Sequence, residues 1–224
     1  MKSLAYYIKK AYKEKWALGK FNFSDFSQMK AIVQAAGNLK SPVVLGTSQG
    51  ESEFLGLRQI VAMRDAWRKE TGLPIFLNLD HAKSLDYVKK GIEAGYDMVH
   101  FDGSKLPLEE NIKISKKCAG LARKKGIIFE GEIGKIGTDV SKIYTEKFII
   151  KESDLTDQRE AEIYQDQVVT DVLAVSVGTF HGIDITGVSP NIRIDRLEEL
   201  SKIIRVPFVL HGGSGTPEED IKKS

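Results

Sequence analysis

Four histidines occur in the chain, and three of them directly follow short apolar runs. They are His81 in Asn-Leu-Asp-His-Ala, His181 in Val-Gly-Thr-Phe-His-Gly and His211 in Val-Leu-His-Gly-Gly-Ser-Gly. Three neutral imidazoles with an open fourth position make a catalytic zinc site, in which the metal polarises a carbonyl as a Lewis acid. The three-histidine donor set fits cobalt or iron as well. Asp80 precedes His81, and a carboxyl group beside a metal serves as general acid or base. Its competing roles are to orient a histidine or to cap the next helix. Glu130 and Glu132 flank Gly131 in Phe-Glu-Gly-Glu-Ile-Gly. Carboxylates two apart on a strand share a face and need a cation or donor nearby if both are buried. Gly212-Gly213-Ser214-Gly215 precedes a helix start, where backbone N–H groups and a hydroxyl can hold a phosphate. His100 lies inside an apolar run and reads as structural.

The elements that must position these residues alternate. Apolar, β-rich runs at 19–23, 42–47, 74–79, 97–101, 127–133, 172–178 and 206–210 are separated by charged amphipathic segments. Helical patterns fall at 53–70, 85–94, 108–125, 159–170 and 194–204. Runs such as Val43-Val44-Leu45 and Phe208-Val209-Leu210 are continuously apolar, as parallel strands covered on both faces require. Polar residues follow nearly every run, and no Gly-rich turn follows the first. That favours an α/β fold of the (β/α)8 TIM-barrel type over an open dinucleotide-binding sheet. On a barrel, the strands before the three histidines would aim them at one mouth.

Only seven strands are legible. The last leads into Thr216-Pro217-Glu218-Glu219, which reads as an N-cap, a first-turn proline and first-turn acids. The expectation is a single domain, residues 1–224, truncated after strand seven. More than twenty residues, 134–157, separate the fifth strand from its helix, the length of an active-site lid or a surface insertion.

Composition narrows the classes. The 33 Lys and Arg against 31 Asp and Glu leave a net charge of +2, which is no electrostatic footprint for nucleic acid. Hydrophobic residues at 42% and charged residues at 29% describe a globular chain rather than a disordered one. The N-terminus interleaves Lys and Glu with apolar residues and so lacks a signal-peptide core, and no apolar run is long enough for a membrane span. One cysteine, Cys118, cannot form an internal disulfide, and the expected location is cytoplasmic.

Together, Phe21-Asn22, Leu79-Asp80-His81, Phe101-Asp102-Gly103-Ser104, Glu130-Gly131-Glu132-Ile133-Gly134, residues 177–182 and residues 211–215 resemble the zinc-dependent, class II ketose-bisphosphate aldolases over almost the whole chain. The resemblance implies a lyase that reversibly cleaves fructose 1,6-bisphosphate, in glycolysis and gluconeogenesis, to dihydroxyacetone phosphate and glyceraldehyde 3-phosphate. Tagatose 1,6-bisphosphate is the alternative substrate. It implies His81, His181 and His211 as zinc ligands, Asp80 as the acid that moves a proton on oxygen, and Glu132 near an alternative metal position. Gly182, Gly212 and Ser214 match phosphate-binding positions that are often shared with Na+ or K+. Asn22 matches a substrate contact, and Asp102 and Ser104 look like supporting or substrate-side positions. It also implies a homodimer or homotetramer.

Two departures accompany it. The family's loop acid that exchanges the ene-diol proton has no clear counterpart, with Asp139 and Glu146 as candidates. The family's eighth strand, which completes the phosphate site, is not in the sequence. No lysine ends a strand where a Schiff base would form, so the covalent amine route is disfavoured. Other classes remain as alternatives. A non-catalytic zinc-binding barrel relic would keep the ligands without activity. A metal-dependent hydrolase would want a His-x-His pair where this chain has Phe21-Asn22-Phe23.

Overall fold

The computed structural model describes residues 1–136, 143–146, 149–186 and 191–224, with two compact units. The first comprises Met1–Asp102 and Lys117–Glu130, and the second Gly103–Lys116 and Gly131–Ser224.

The first unit runs α1 (Leu4–Glu14), β1 (Lys20–Asn22), α2 (Phe26–Leu39), β2 (Val43–Ser48), α3 (Gln49–Leu55), α4 (Leu57–Thr71), β3 (Ile75–Ala82), α5 (Leu85–Ala94) and β4 (Met98–Phe101). It also holds the later half of α6 (Leu108–Lys125) and the start of β5 (Ile128–Ile133). Neighbours β1–β2, β2–β3, β3–β4 and β4–β5 all pair in parallel. Such pairing needs both faces covered, and every residue of β3 is buried. The helix starts are specified locally. Ser3, Asp25 and Ser84 accept the N–H three residues on with their side chains, and Ser48 with Glu51 forms a reciprocal capping box. The single helix expected over 53–70 is instead two. Gly56, at φ 87°, is a conformation helices do not contain, and it ends α3 and opens α4.

The second unit holds the end of β5, β6 (Ile143–Tyr144), a 3₁₀ turn (Glu152–Asp154), α7 (Gln158–Gln167), β7 (Val172–Val175), β8 (Ile183–Asp184), α8 (Ile194–Ser201), β9 (Phe208–Val209) and α9 (Glu218–Lys223). β7 and β9 pair in parallel, and β6 and β8 form a separate two-stranded sheet that the sequence pattern did not announce. The main hydrogen-bonded order is β1-β2-β3-β4-β5-β7-β9. Each of the seven apolar runs therefore contains a strand. Residue-level expectations at three further helices shift. α7 stops at Gln167 rather than 170, α8 stops at Ser201 rather than 204, and α9 begins at Glu218 with Pro217, not Thr216, in the cap position. No described helix is long and apolar enough to cross a membrane.

Candidate active site

In the first unit the chemistry-bearing residues collect at the carboxyl ends of β1, β3 and β4. β3 carries a register shift against β4 between Leu79 and Ala82, and within it His81 has φ 49°. A histidine tolerates this left-handed region better than most side chains, and a bulge re-aims the residues around it. Alternation along the strand is thereby interrupted, and consecutive Asp80 and His81 engage different neighbours.

Asp80 is held from β1. Lys20 Nζ donates to Asp80 Oδ1 at 2.8 Å, and Asn22 Nδ2 donates to Oδ2 at 2.9 Å. Lys20 and Asn22 lie two apart and share one face of β1, while Phe21 between them is exposed. Gly46 sits opposite Asn22 on β2, where an added Cβ would lie 1.9 Å from Asn22 Oδ1. The glycine is what gives the asparagine room.

His81 is held from β4. Its Nδ1 lies 2.9 Å from Asp102 Oδ2, and Lys83 also donates to that oxygen. Burial pushes the Asp102 carboxyl up. The hydrogen bond and charge of His81, with the charges of His100 and Lys83, outweigh it and hold the group well below the usual carboxylate range. A carboxylate on one imidazole nitrogen fixes the ring and leaves the other nitrogen for a metal. His100 Nδ1 accepts the His81 backbone N–H at 3.1 Å, and the two rings lie 4.5 Å apart. Asp80, His81 and His100 offer ligand atoms within 4.8 Å of one another and all three are buried, so this donor set can accept a divalent cation.

Glu130, fully buried on β5, accepts from Asn78 Nδ2 at 3.2 Å and lies 3.9 Å from Lys20 Nζ. The cation and donor that buried acids there require are thus Lys20 and Asn78. Lys20 and Asn78 carry no motif in the sequence, and His100, expected to be structural, is fully buried with its ring against His81. For Lys20 the signal was its period-two spacing from Asn22.

In the second unit, His181 and His211 have ring centroids 5.6 Å apart. Thr179 Oγ1 donates to the His211 carbonyl at 2.6 Å and so ties the ends of β7 and β9 together. Gly212, at φ 66°, packs so closely that a Cβ would lie 2.6 Å from the Phe180 carbonyl oxygen. Beside it Gly213 faces open space, Ser214 is exposed, and the buried Thr216 Oγ1 has no hydrogen-bond partner among the described residues. Such a turn has donors to offer an anion. Gly182, at φ 100°, and Ser104 are half-buried. Glu132 is buried, and its carbonyl accepts from Asn111 Nδ2 at 2.9 Å. Glu146 is exposed in the turn after β6, and Asp139 lies outside the described residues.

The family model for class-II fructose-bisphosphate aldolase matches residues 2–224. The chain belongs to that family. It is an aldolase, a carbon–carbon lyase, of a family that acts on sugar phosphates. Among curated proteins, the chain is 37% identical to a sulfofructosephosphate aldolase of Alkalicoccus urumqiensis, over 97% of its own length and 74% of that protein's. It is 37% identical to a probable fructose-bisphosphate aldolase of Bacillus subtilis, over 95% and 73% of the two chains. The crystal structure of the YdjI aldolase from Escherichia coli K12 shares the fold with a TM-score of 0.80 at 22% identity, across 99% of this chain and 76% of that one.

Proposed function

We propose that the protein is a Zn2+-dependent aldolase that reversibly cleaves a ketose 1,6-bisphosphate, with fructose 1,6-bisphosphate as its substrate. The observation that carries this reading is the pairing of Asp80, gripped through both oxygens, with His81, whose Nδ1 is engaged by Asp102. That is the arrangement a proton-transferring acid beside a metal-binding imidazole needs.

His81, His181 and His211 would hold the metal, with Glu132 at an alternative position. When bound, the metal polarises the substrate carbonyl and stabilises the negative charge that develops on carbon–carbon cleavage. Asp80 takes the C4 hydroxyl proton as the C3–C4 bond breaks, and returns it in the synthetic direction. Asn22 orients Asp80 and contacts substrate. Gly182, Gly212 and Ser214 bind a phosphate with Na+ or K+ beside it, and Ser104 borders the substrate. Asp139 or Glu146 exchanges the proton at the ene-diol carbon. The reading treats residues 1–224 as one domain of (β/α)8-barrel type, in a cytoplasmic homo-oligomer serving glycolysis and gluconeogenesis.

A second substrate reading has a specific observation behind it, the 37% identity to a sulfofructosephosphate aldolase. The test is parallel cleavage of fructose 1,6-bisphosphate, tagatose 1,6-bisphosphate and sulfofructose phosphate, each followed by triose-phosphate release. The proposal expects the highest kcat/KM for fructose 1,6-bisphosphate. A tenfold or greater preference for either of the others would replace it.

A further inference from the structure

The geometry points to Lys20 as a positioning residue for the reaction, an ammonium clamp that sets the direction of the Asp80 carboxylate. The inference rests on the aldolase reading for Asp80's task but on local geometry for the clamp itself.

Lys20 stands on β1 with its side chain 16% exposed, between two carboxylates that are almost wholly buried. It donates to Asp80 Oδ1 at 2.8 Å and lies 3.9 Å from Glu130 Oε2. A charge-assisted bond of that length is about twice as strong as a neutral one. Asn22 takes Asp80's other oxygen at 2.9 Å. With both oxygens held from one strand, the carboxylate cannot rotate about its terminal torsion, which is otherwise broad and two-fold. Asn78 in turn holds Glu130 Oε2 at 3.2 Å, so Glu130 is restrained by an amide of its own beside the shorter Lys20–Asp80 contact. The ammonium's engagement with Asp80 is also what separates Lys20 from a Schiff-base lysine, whose amine must be neutral to attack a carbonyl.

The test uses K20M, which keeps the stem and removes the charge, and K20R, which keeps a cationic donor. Cleavage kinetics, metal content and thermal unfolding are measured on each. A misplacement of about 1 Å can cost about 10²-fold in rate. The expected result for K20M is therefore a kcat lowered about 10- to 100-fold, with KM within about twofold and metal content unchanged. K20R should recover most of the loss. An unchanged kcat in folded K20M overturns the proposal. So does a raised KM at constant kcat, which would make Lys20 a substrate contact, and so does a borohydride-trapped substrate adduct on Lys20.

If the wild-type chain cleaves no ketose phosphate, the substrate reading fails and the clamp is still read directly. A ¹⁵N-lysine spectrum should show a slowly exchanging Lys20 ammonium that disappears in D80N and persists in D86N, a change at an exposed acid on α5. A Lys20 signal indifferent to D80N would refute the clamp whatever the substrate.

Discussion

Replacing Gly46 by alanine tests whether the backbone of β2 sets the position of a side chain on β1 that in turn holds Asp80. The new Cβ would stand 1.9 Å from Asn22 Oδ1 and 2.9 Å from its Cγ. Ordinary contact lies near 3.5–4.0 Å, so the amide must retreat by well over 1 Å. The backbone Cα of Asn22, at 3.6 Å, need not move. The strain therefore falls on the side chain, and the 2.9 Å bond from Nδ2 to Asp80 Oδ2 is lost. A misplacement of that size costs about 10²-fold in rate, or about 2.7 kcal/mol in the barrier. Overpacking costs about 1–3 kcal/mol in stability, and the lower chain entropy of alanine offsets about 0.4–1 kcal/mol of it.

Coupled kinetics of ketose-bisphosphate cleavage measure the first effect and urea unfolding the second. The double variant N22A/G46A removes the collision, so it should unfold no more readily than N22A alone, a non-additivity expected only of residues in contact. A G46A enzyme with wild-type kcat, or strict additivity in the cycle, would refute the reasoning.

Three further outcomes follow from other contacts. D102N should weaken metal binding about 10- to 100-fold by freeing the His81 ring, without unfolding the protein, as competition with a chelating dye would read. D97A should destabilise the fold by about 1–3 kcal/mol in denaturant titration, because Asp97 accepts from Arg64, Arg68 and the Leu77 N–H, while Arg64 keeps its bond to Asp65. Burial pushes the Cys118 thiol up to about 12. The thiolate is therefore scarce below that pH, and disulfide reagents should react with Cys118 at pH 7–9 only after denaturation.

What could be read from the chain and what could not divides along physical lines. Parallel strands announce themselves by unbroken apolar runs, so Val43–Ser48 and Ile128–Ile133 were legible, as were α5 and α6, which match their helical patterns residue for residue. Asp80 and His81 were legible as chemistry because few residue types can do it. What lets these neighbours on one strand act together is the register shift and positive φ at His81, which depend on β3–β4 pairing. The pattern over 53–70 ran through Gly56 without a break, and only the positive φ of that glycine divides α3 from α4. His100 read as a core residue, and it is one, fully buried. Its link to the His81 backbone depends on β3–β4 pairing that no local pattern encodes. β6 and β8 are two residues each, too short for any periodicity to register.

The claim that matters most is that cleavage depends on a metal held by the histidines. Metal content by elemental analysis, taken with fructose 1,6-bisphosphate cleavage before chelation, after chelation and after Zn2+ is returned, tests it most directly. Near-stoichiometric Zn2+ is expected, with activity lost with it and restored with it, and neither recovered in H81A. Full cleavage by metal-free protein would contradict it.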